Sequence, residues 1–168
     1  MSQARQFQTS TSARRIMAET AFDAYGVDAV VADAFGPGRF AKTAERLREG
    51  SEPLAGFVAH DEHGRVVGSV RLWPVLIGEK PAAFLGPIAV DADVRSEGLG
   101  ADLVQACVDH ARTSGLGGVL LVGDLAYFGR FGFAAAPDAA LPGPVDRRRV
   151  LWLAIKAETA TGVVRPIR

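Results

Sequence analysis

The sequence predicts a single mixed α/β domain with a mostly antiparallel sheet. Three observations indicate this fold class: two runs of branched residues joined by a turn-forming tetrapeptide, an amphipathic helix pattern in mid-chain, and a length of 168 residues, which suits one core. We find no internal repeat. The prediction is one domain over residues 1–168, of which the polar start, residues 1–15, is expected to be flexible.

Composition narrows the classes of function. The chain has 19 basic and 19 acidic side chains, whereas most nucleic-acid binders carry a strong positive charge. No apolar run reaches the length of a membrane span, and the start lacks the apolar centre of a secretory signal. Because Cys107 is the only cysteine, no internal disulfide can form. We therefore expect a cytoplasmic protein, monomeric or homodimeric, that binds neither nucleic acid nor membrane.

The first half of the chain is expected to hold two helices and an antiparallel pair of strands. These elements are predicted at Val27–Phe35, Phe40–Glu49, Leu54–His60 and Val66–Ile77. The helices follow from spaced apolar residues that end at glycines, and the strands from branched residues on either side of a tight turn at residues 61–64. Pro74 has no N–H for a strand ladder, which predicts a strand end or bulge near it.

The second half is expected to alternate buried strands with one amphipathic helix. The run Phe84–Val90 is almost wholly apolar, which indicates a central strand buried on both faces. Apolar residues then recur at three- and four-residue spacing from Gly98 to Ser114, so a helix should lie there against the sheet. That apolar stripe comprises Leu99, Leu103, Val104, Cys107, Val108 and Ala111. The remaining predicted elements are two strands and a surface loop between them, at Val119–Val122, Val150–Ile155 and Ala134–Pro144.

The turn Arg95–Gly100 between the central strand and the helix is a candidate anion site. A helix that begins at Gly98 points free backbone N–H groups and the positive end of its dipole into the turn, and Arg95 can add a charged contact to a pyrophosphate. No Gly-Lys-Ser/Thr ending of a Walker A loop is present. A dinucleotide fingerprint is disfavoured because Leu103 stands where its third glycine would be. A plain structural turn remains the competing interpretation.

The residues around this turn carry a longer pattern. Ile88–Asp91 is followed by Arg95–Ala101, which opens a helix, and the segment YFGRFGF follows at Tyr127–Phe133. This order resembles the acetyl-coenzyme-A motif and the late Tyr-x-x-x-Gly-Phe signature of the GNAT N-acetyltransferase superfamily. Within this superfamily, the YhbS-like group of predicted acetyltransferases has segments similar to several in this chain, over about residues 28–133. These segments are AFGPGRF, VGSVRLWPV, FLGPIAVD and LLVGDLAYFGRFGF.

The resemblance implies a twisted sheet flanked by helices, with two central strands splayed apart to hold acetyl-coenzyme A. Pantetheine would bond to the backbone of the central strand, and the pyrophosphate would lie in the glycine turn. The cofactor-binding residues implied are Ile88, Ala89, Val90, Arg95, Ser96, Glu97, Gly98, Leu99, Gly100, Ala101 and, packed against pantetheine, Phe128. An amine of a small molecule or protein would attack the thioester directly, in a ternary complex and with a strand N–H stabilising the oxyanion. No metal is implied.

The proton-transfer groups are less well defined. The tyrosine to which the superfamily often assigns protonation of the thiolate falls on Phe128, and the adjacent Tyr127 points about 100° away on a helix, so either Tyr127 is reoriented or solvent suffices. Asp124 and Glu79 are conceivable general bases, with solvated loop carboxylates as the alternative. Cys107 lies in the apolar stripe and is expected to be a buried structural thiol. The departure at Phe128 leaves a second hypothesis, a regulatory module that binds acyl-coenzyme A without turnover.

Several other polar residues have two interpretations. Arg71 and Trp73 alternate with apolar residues and could face an acceptor cleft or serve the structure. The run Arg147–Arg149 could attract an acidic acceptor, although a solvated loop is the simpler interpretation. The three histidines lack the spacing of a metal site.

Overall fold

The computed structural model describes residues 15–168, apart from the side chain of Ser96. The flexible start expected at residues 1–15 thus falls almost wholly outside the described residues. The strands of the described part are β1 (Ile16–Ala18), β2 (Ala55–His60), β3 (Val66–Ile77), β4 (Lys80–Leu85), β5 (Ala89–Val90), β6 (Gly118–Val122), β7 (Ala134–Ala135), β8 (Ala139–Ala140), β9 (Val150–Ala154) and β10 (Gly162–Pro166). The helices are α1 (Ala24–Phe35), α2 (Thr43–Arg46), α3 (Leu99–Thr113) and α4 (Leu125–Phe128).

The sheet is mixed and mostly antiparallel, as predicted. Its main path runs β1-β2-β3-β4-β6-β9-β7, and β4 with β6 is the parallel pair on that path. Strand β3 is long enough to pair with β4 and then with β5 along one edge, and with β2 and then β10 along the other. The β2–β3 hairpin turns at Gly64, whose φ of 80° is the left-handed conformation that glycine adopts without strain. Strand β7, at the other end of this path, does not pair with β1, so the sheet is open.

Both faces of the sheet are covered, which explains the continuous apolar runs in its central strands. In β6, Val119 and Leu121 point into the layer beneath α3, while Leu120 points into the opposite layer with Phe84 and Trp152. All six residues of the predicted α3 stripe are buried. Helix α1 covers a third cluster, where Val27 and Val31 pack on β2, β3 and β5. These layers hold the site-forming strands between α1 on one face and α3 on the other.

The helical segment predicted at Phe40–Glu49 is wrong as a single helix. The chain forms a 3-10 turn over Pro37–Ala41, then an extended residue at Lys42 with ψ of 146°, and then the single-turn helix α2. Thr43 begins that helix with its hydroxyl donating to the carbonyl of Pro144, 2.5 Å away. Because this long-range contact competes with local helix propensity, the segment bends where the sequence pattern does not.

The central strand predicted over Phe84–Val90 is also interrupted. Strand β4 ends at Leu85 and β5 begins at Ala89, and Gly86, with φ of 134°, lies in between. Pro74, in contrast, neither ends nor bulges β3. The pairing of β2 with β3 ends at Leu72, and the pairing of β10 with β3 begins at Val75. Pro74 lies between them, so its missing N–H removes no ladder bond.

The C-terminal part holds more strands than predicted. The expected loop Ala134–Pro144 contains β7 and β8, each of two residues, and β10 follows β9. Strand β10 pairs antiparallel with the end of β3 and parallel with β8. The sequence offered little sign of these strands, because their pairing partners are far away along the chain.

Candidate active site

The parallel pair β4 and β6 separates in the middle of the sheet. The two strands are joined at Ala83 with Val119 and at Phe84 with Leu120, and no further pair is formed. Beyond that point β4 turns away with β3, while β6 continues along β9. A cavity of about 350 Å³ opens between them, lined on the β4 side by Gly86, Pro87 and Ile88 and on the β6 side by Leu121, Val122 and Phe128. We call it the central cavity.

A bulge produces this separation. Leu85 lies opposite Leu72 and Ala89 opposite Ser69, so that three residues, Gly86 to Ile88, oppose two on β3. The N–H of Gly86 donates to the carbonyl of Arg71 over 2.9 Å, which fixes the start of the bulge. Among the described strands β5 pairs with β3 alone. Its other edge therefore presents main-chain groups of Ile88–Val90 to the opening, as a bound extended chain requires.

The turn after β5 is built by Asp91. Its carboxylate accepts from the N–H of Asp93 at 3.0 Å, which caps a 3-10 turn over Ala92–Glu97, and from Arg65 Nη1 at 3.0 Å. The hydrogen bond from Asp93 and the Arg65 charge hold the pKa of Asp91 below its usual value, against the effect of burial. Gly98 then caps α3 in the left-handed conformation, φ 75°. The acidic position of the sequence motif therefore shapes the loop.

A groove of about 590 Å³ runs from this turn to the strand edge. It is lined by Ile88, Val90, Arg95, Gly98, Gly100 and Ala101, together with Ala34, Tyr127 and Arg130, and we call it the cofactor groove. A Cβ placed on Gly98 would meet no atom within 4 Å, so the space in front of the helix N-terminus is open. Arg95 Nε donates to the carbonyl of Val90 at 3.2 Å, which holds the guanidinium at the mouth of the groove. Six predicted cofactor residues thus line one surface.

The other predicted cofactor residues are placed differently. Ala89 and Leu99 are 1% and 2% exposed and pack their side chains into the core beside the groove. Glu97 lies exposed at the end of the capped turn, and the backbone of Ser96 belongs to the same turn. The side chains of Ala89 and Leu99 thus lie outside the groove, and these two residues shape it through their backbone.

The two adjacent aromatics face different spaces. Phe128 lines the central cavity, while Tyr127 lines the cofactor groove and its hydroxyl lies 3.6 Å from where a Cβ on Gly100 would be. Their rings are nearly perpendicular, at 81°, with centroids 4.9 Å apart in an edge-to-face contact. The Arg130 guanidinium lies 4.0 Å from the centre of the Tyr127 ring. Tyr127 thus lies next to the glycine turn, whereas Phe128 lies in the central cavity.

The two carboxylates considered as bases, Asp124 and Glu79, lie outside the central cavity and the cofactor groove. Asp124 accepts from the N–H of Ala126 at 3.0 Å and caps α4. Glu79 pairs with Arg165 at 3.0 Å, and the six residues of β4, roughly 20 Å of strand, separate it from the bulge. Cys107 is fully buried and burial raises its pKa, which fits the structural thiol predicted.

A third cavity, of about 130 Å³, adjoins the central cavity on the face of α1. Its charged lining comprises Asp28, Arg39, Glu45, Arg48 and Arg71, and we call it the arginine cavity. Arg39, Arg48 and Pro87 line both this cavity and the central one, while Ile88 joins the central cavity to the cofactor groove. Arg71 and Trp73 line this cavity and also make structural contacts, with Glu19 and with the carbonyl of Gly86. The sequence pattern did not indicate the other charged residues of the lining.

The run Arg147–Arg149 divides between surface and site. Arg148 is exposed and pairs with Asp146 at 3.0 Å, and Arg149 lines the central cavity. His60 Nε2 lies 2.7 Å from Asp23 Oδ1, and the other carboxylate oxygen of Asp23 accepts from Thr20. Within residues 15–168 no group of three or more His, Cys, Asp or Glu side chains is arranged to hold a metal ion. In the same range no helix combines the length and apolar character needed to cross a membrane.

This geometry accompanies a clear family relationship. The acetyltransferase (GNAT) family model matches residues 18–133, and the chain belongs to that family. It is similar to the uncharacterised N-acetyltransferase YhbS of Escherichia coli strain K12, with 36% identity over 123 residues that cover 72% of this chain and 74% of the relative. It is also 28% identical over 160 residues to the uncharacterised N-acetyltransferase YjhQ of the same strain, covering 85% of this chain and 86% of the relative.

Solved structures agree with this relationship. Escherichia coli YhbS in complex with CoA has a TM-score of 0.79 at 31% identity, over 92% of this chain and 89% of that chain. A GNAT family acetyltransferase from Brucella melitensis in complex with acetyl-CoA has a TM-score of 0.72 at 28% identity, over 90% of this chain and 94% of that one. The fold is therefore the GNAT fold, and the chain falls in the YhbS-like group.

Proposed function

We propose that the protein is an acetyl-CoA-dependent N-acetyltransferase that acts on an amine in the cytoplasm. The separation of β4 from β6 carries this proposal, because it opens an unpaired strand edge that leads directly to the glycine turn. The relatives that bind CoA or acetyl-CoA share this fold. An open strand edge, a helix N-terminus and the adjoining central cavity fit the polar, anionic and acyl parts of the donor.

The donor is proposed to lie along the cofactor groove. Its pantetheine arm bonds to the backbone of Ile88–Val90, and its pyrophosphate accepts from the first N–H groups of α3 and from Arg95. The open space at Gly98 and the absence of a side chain at Gly100 leave room for the phosphates. The thioester then reaches the central cavity, where Phe128 packs against the end of the arm.

The acetyl group passes directly to the acceptor amine. The amine nitrogen forms a bond to the carbonyl carbon, the carbon–sulfur bond breaks, and CoA leaves as a thiolate. A strand N–H beside the bulge stabilises the oxyanion that forms on the way. No acyl-enzyme is required, since the buried Cys107 thiol is directed into the core.

Two proton transfers accompany this exchange. An alkylammonium acceptor must lose a proton before it attacks, and the carboxylates of Asp28 and Glu45 line the cavity next to the thioester position. Asp124, engaged as a helix cap, stays a weaker hypothesis for the base. Tyr127 stays a hypothesis for the acid that protonates the thiolate, with its hydroxyl beside Gly100.

The test is release of free thiol from acetyl-CoA across a panel of amines and amine-bearing proteins. Turnover that saturates with one acceptor class supports the enzyme. Tight binding of CoA without turnover for any acceptor would instead support the non-catalytic, acyl-CoA-binding regulatory module, which the phenylalanine at position 128 favours. Failure of both binding and turnover would contradict both functions.

A further inference from the structure

The arginine cavity is lined by two arginines that each have a buried hydrogen-bond donor unpaired within the described part of the chain. The Nε atoms of Arg39 and Arg48 are buried, and neither has a hydrogen-bond partner among residues 15–168. The Arg48 side chain is only 9% exposed. A buried donor on a charged group that remains unpaired costs free energy and calls for an explanation, because such groups are nearly always paired in folded proteins.

The neighbouring carboxylates only partly compensate these arginines. Glu45 accepts from Arg48 Nη2 at 3.0 Å and lies 3.5 Å from Arg39 Nη1, so that one carboxylate serves two guanidinium groups. Arg71 is already engaged by both carboxylate oxygens of Glu19, at 3.0 and 2.5 Å. Burial lowers the pKa of Arg48 against the opposing effect of Glu45. Without Asp28, which lines the same cavity, the Arg39–Glu45–Arg48 cluster carries one positive charge in excess.

This excess charge lies against the reacting centre. Arg48 Nη1 is 3.3 Å from the position that a Cβ on Gly86 would take, at the start of the strand bulge. Arg39 and Arg48 both line the central cavity, on its boundary with the arginine cavity. A group held by their Nε atoms would lie on the face of α1, across the bulge from the cofactor groove.

We propose that the acceptor is an amine carrying an oxyanion group, a carboxylate or a phosphate, which Arg39 and Arg48 bind. An oxyanion accepts hydrogen bonds from the N–H groups of a guanidinium, and among the described residues the Nε–H is the donor left without a partner at both arginines. Asp28 lines the same cavity and provides a counter-charge for the ammonium end of the acceptor. This inference rests on the proposed acetyltransferase function and adds the class of acceptor to it.

The test compares ligands that differ only in this charge. The Nε–H signals of Arg39 and Arg48 are followed by nitrogen-15 NMR while the protein is titrated with the twenty amino acids, with their carboxamides, and with aminoalkylphosphonates. We expect at least one oxyanion-bearing amine to shift both signals, and the matching carboxamide, which lacks the negative charge, to bind about 10- to 100-fold more weakly, the range for lost hydrogen bonds to a charged group. Stronger binding of phosphonates than of carboxylates would identify a phosphorylated acceptor.

Variants separate recognition from folding. Arg48→Gln should reduce the affinity for that amine by at least about tenfold, and Arg48→Lys, which keeps a partner for Glu45 but has no planar fork, should also reduce it. Arg46→Gln is the matched control, because Arg46 is exposed, lies two residues before Arg48 and bonds the carbonyl of Pro142. Equal binding of the amino acids and their carboxamides, no shift with any oxyanion-bearing amine, or an unchanged affinity in Arg48→Gln would overturn the proposal.

The same titration is run on the free protein and on the protein saturated with CoA. If the protein does not bind CoA, the proposed acetyltransferase function is contradicted. The titration of the free protein with amines still tests the oxyanion site by itself. Conversely, turnover of neutral amines with no preference for oxyanion-bearing ones would leave the acetyltransferase standing and contradict the oxyanion site.

Discussion

Gly98 and Gly100 have different reasons to be glycine. Gly98 has a φ of 75°, which side chains with a Cβ rarely adopt, whereas Gly100 has ordinary helical geometry and faces the groove. The sequence pattern could not separate these roles, because both glycines fit a simple turn equally well. Substitution at Gly100 therefore tests the groove with less strain in the fold.

Gly100→Val should lower the affinity for acetyl-CoA by at least about tenfold while the fold is retained. A Cβ at this position makes only ordinary contacts, 3.6 Å from the Tyr127 hydroxyl and 3.8 Å from Val90, but its methyl groups enter the phosphate space. Calorimetric titration measures the affinity, and Arg112→Val, exposed at the other end of α3, controls for a branched residue in the helix. Equal affinities in the two variants would contradict the groove assignment.

Tyr127→Phe separates a proton donor from a cofactor contact. If the hydroxyl protonates the thiolate, kcat should fall roughly 10- to 100-fold with little change in KM for acetyl-CoA. Its position beside Gly100 also allows the hydroxyl to contact acetyl-CoA directly. In that case the KM for acetyl-CoA would rise in Tyr127→Phe and kcat would stay the same. Steady-state kinetics in acetyl-CoA distinguishes these results, and unaltered kinetics would remove Tyr127 from the mechanism.

Local sequence signals specified some elements well and others poorly. The β2–β3 hairpin and α3 were predicted closely, because alternation and a 3.6-residue period report directly on which face is buried. The bulge after Leu85 was missed since Gly86 lies in an apolar run that reads as one strand. The bend at Lys42 was missed because the contact of Thr43 with Pro144 spans about a hundred residues of chain.

Asp91→Ala should loosen the turn between β5 and α3. The substitution removes a cap of the 3-10 turn and the pairing with Arg65, at a cost of about 1 kcal/mol in the free energy of unfolding, and acetyl-CoA affinity should fall with it. Because the pKa of Asp91 is lower in the folded protein than the unfolded value of about 3.9, its stabilisation is complete at neutral pH. It is lost as the pH falls below about 4, through the folded-state value.

Denaturant unfolding measured between pH 7 and pH 3 checks this sign. The difference in unfolding free energy between the wild type and Asp91→Ala should be largest at pH 7 and shrink towards pH 3. A difference that stays constant or grows as the pH falls would show that the carboxylate charge does not stabilise the turn.

At the level of the whole molecule, the sequence indicated the residues of the cofactor groove far better than those of the arginine cavity. The cofactor groove comes from the contiguous stretch Ile88–Ala101, which a motif can reveal, with Tyr127 added from α4. The arginine cavity instead combines side chains of α1, the bent segment around α2, and β3, whose charges have no shared spacing. Proximity of such residues arises from tertiary packing, so no local pattern reports it.

The described chain should also respond to its donor as one cooperative unit. We expect a single thermal transition, and acetyl-CoA at about 100 times its dissociation constant should add about 2.7 kcal/mol of stability, which raises the Tm by roughly 5 to 10 °C. Differential scanning calorimetry measures both quantities. Two separate thermal transitions would contradict a single domain. Equal Tm shifts with NAD and ATP would contradict a groove that is selective for acetyl-CoA.

The central claim is that the opening between β4 and β6, together with the turn after β5, forms the acetyl-CoA site. Isothermal titration of acetyl-CoA into the wild-type protein tests it most directly. We predict saturable binding of one molecule per chain, with no comparable heat from NAD or ATP at the same concentration. Absence of saturable acetyl-CoA binding by the folded protein would contradict the claim.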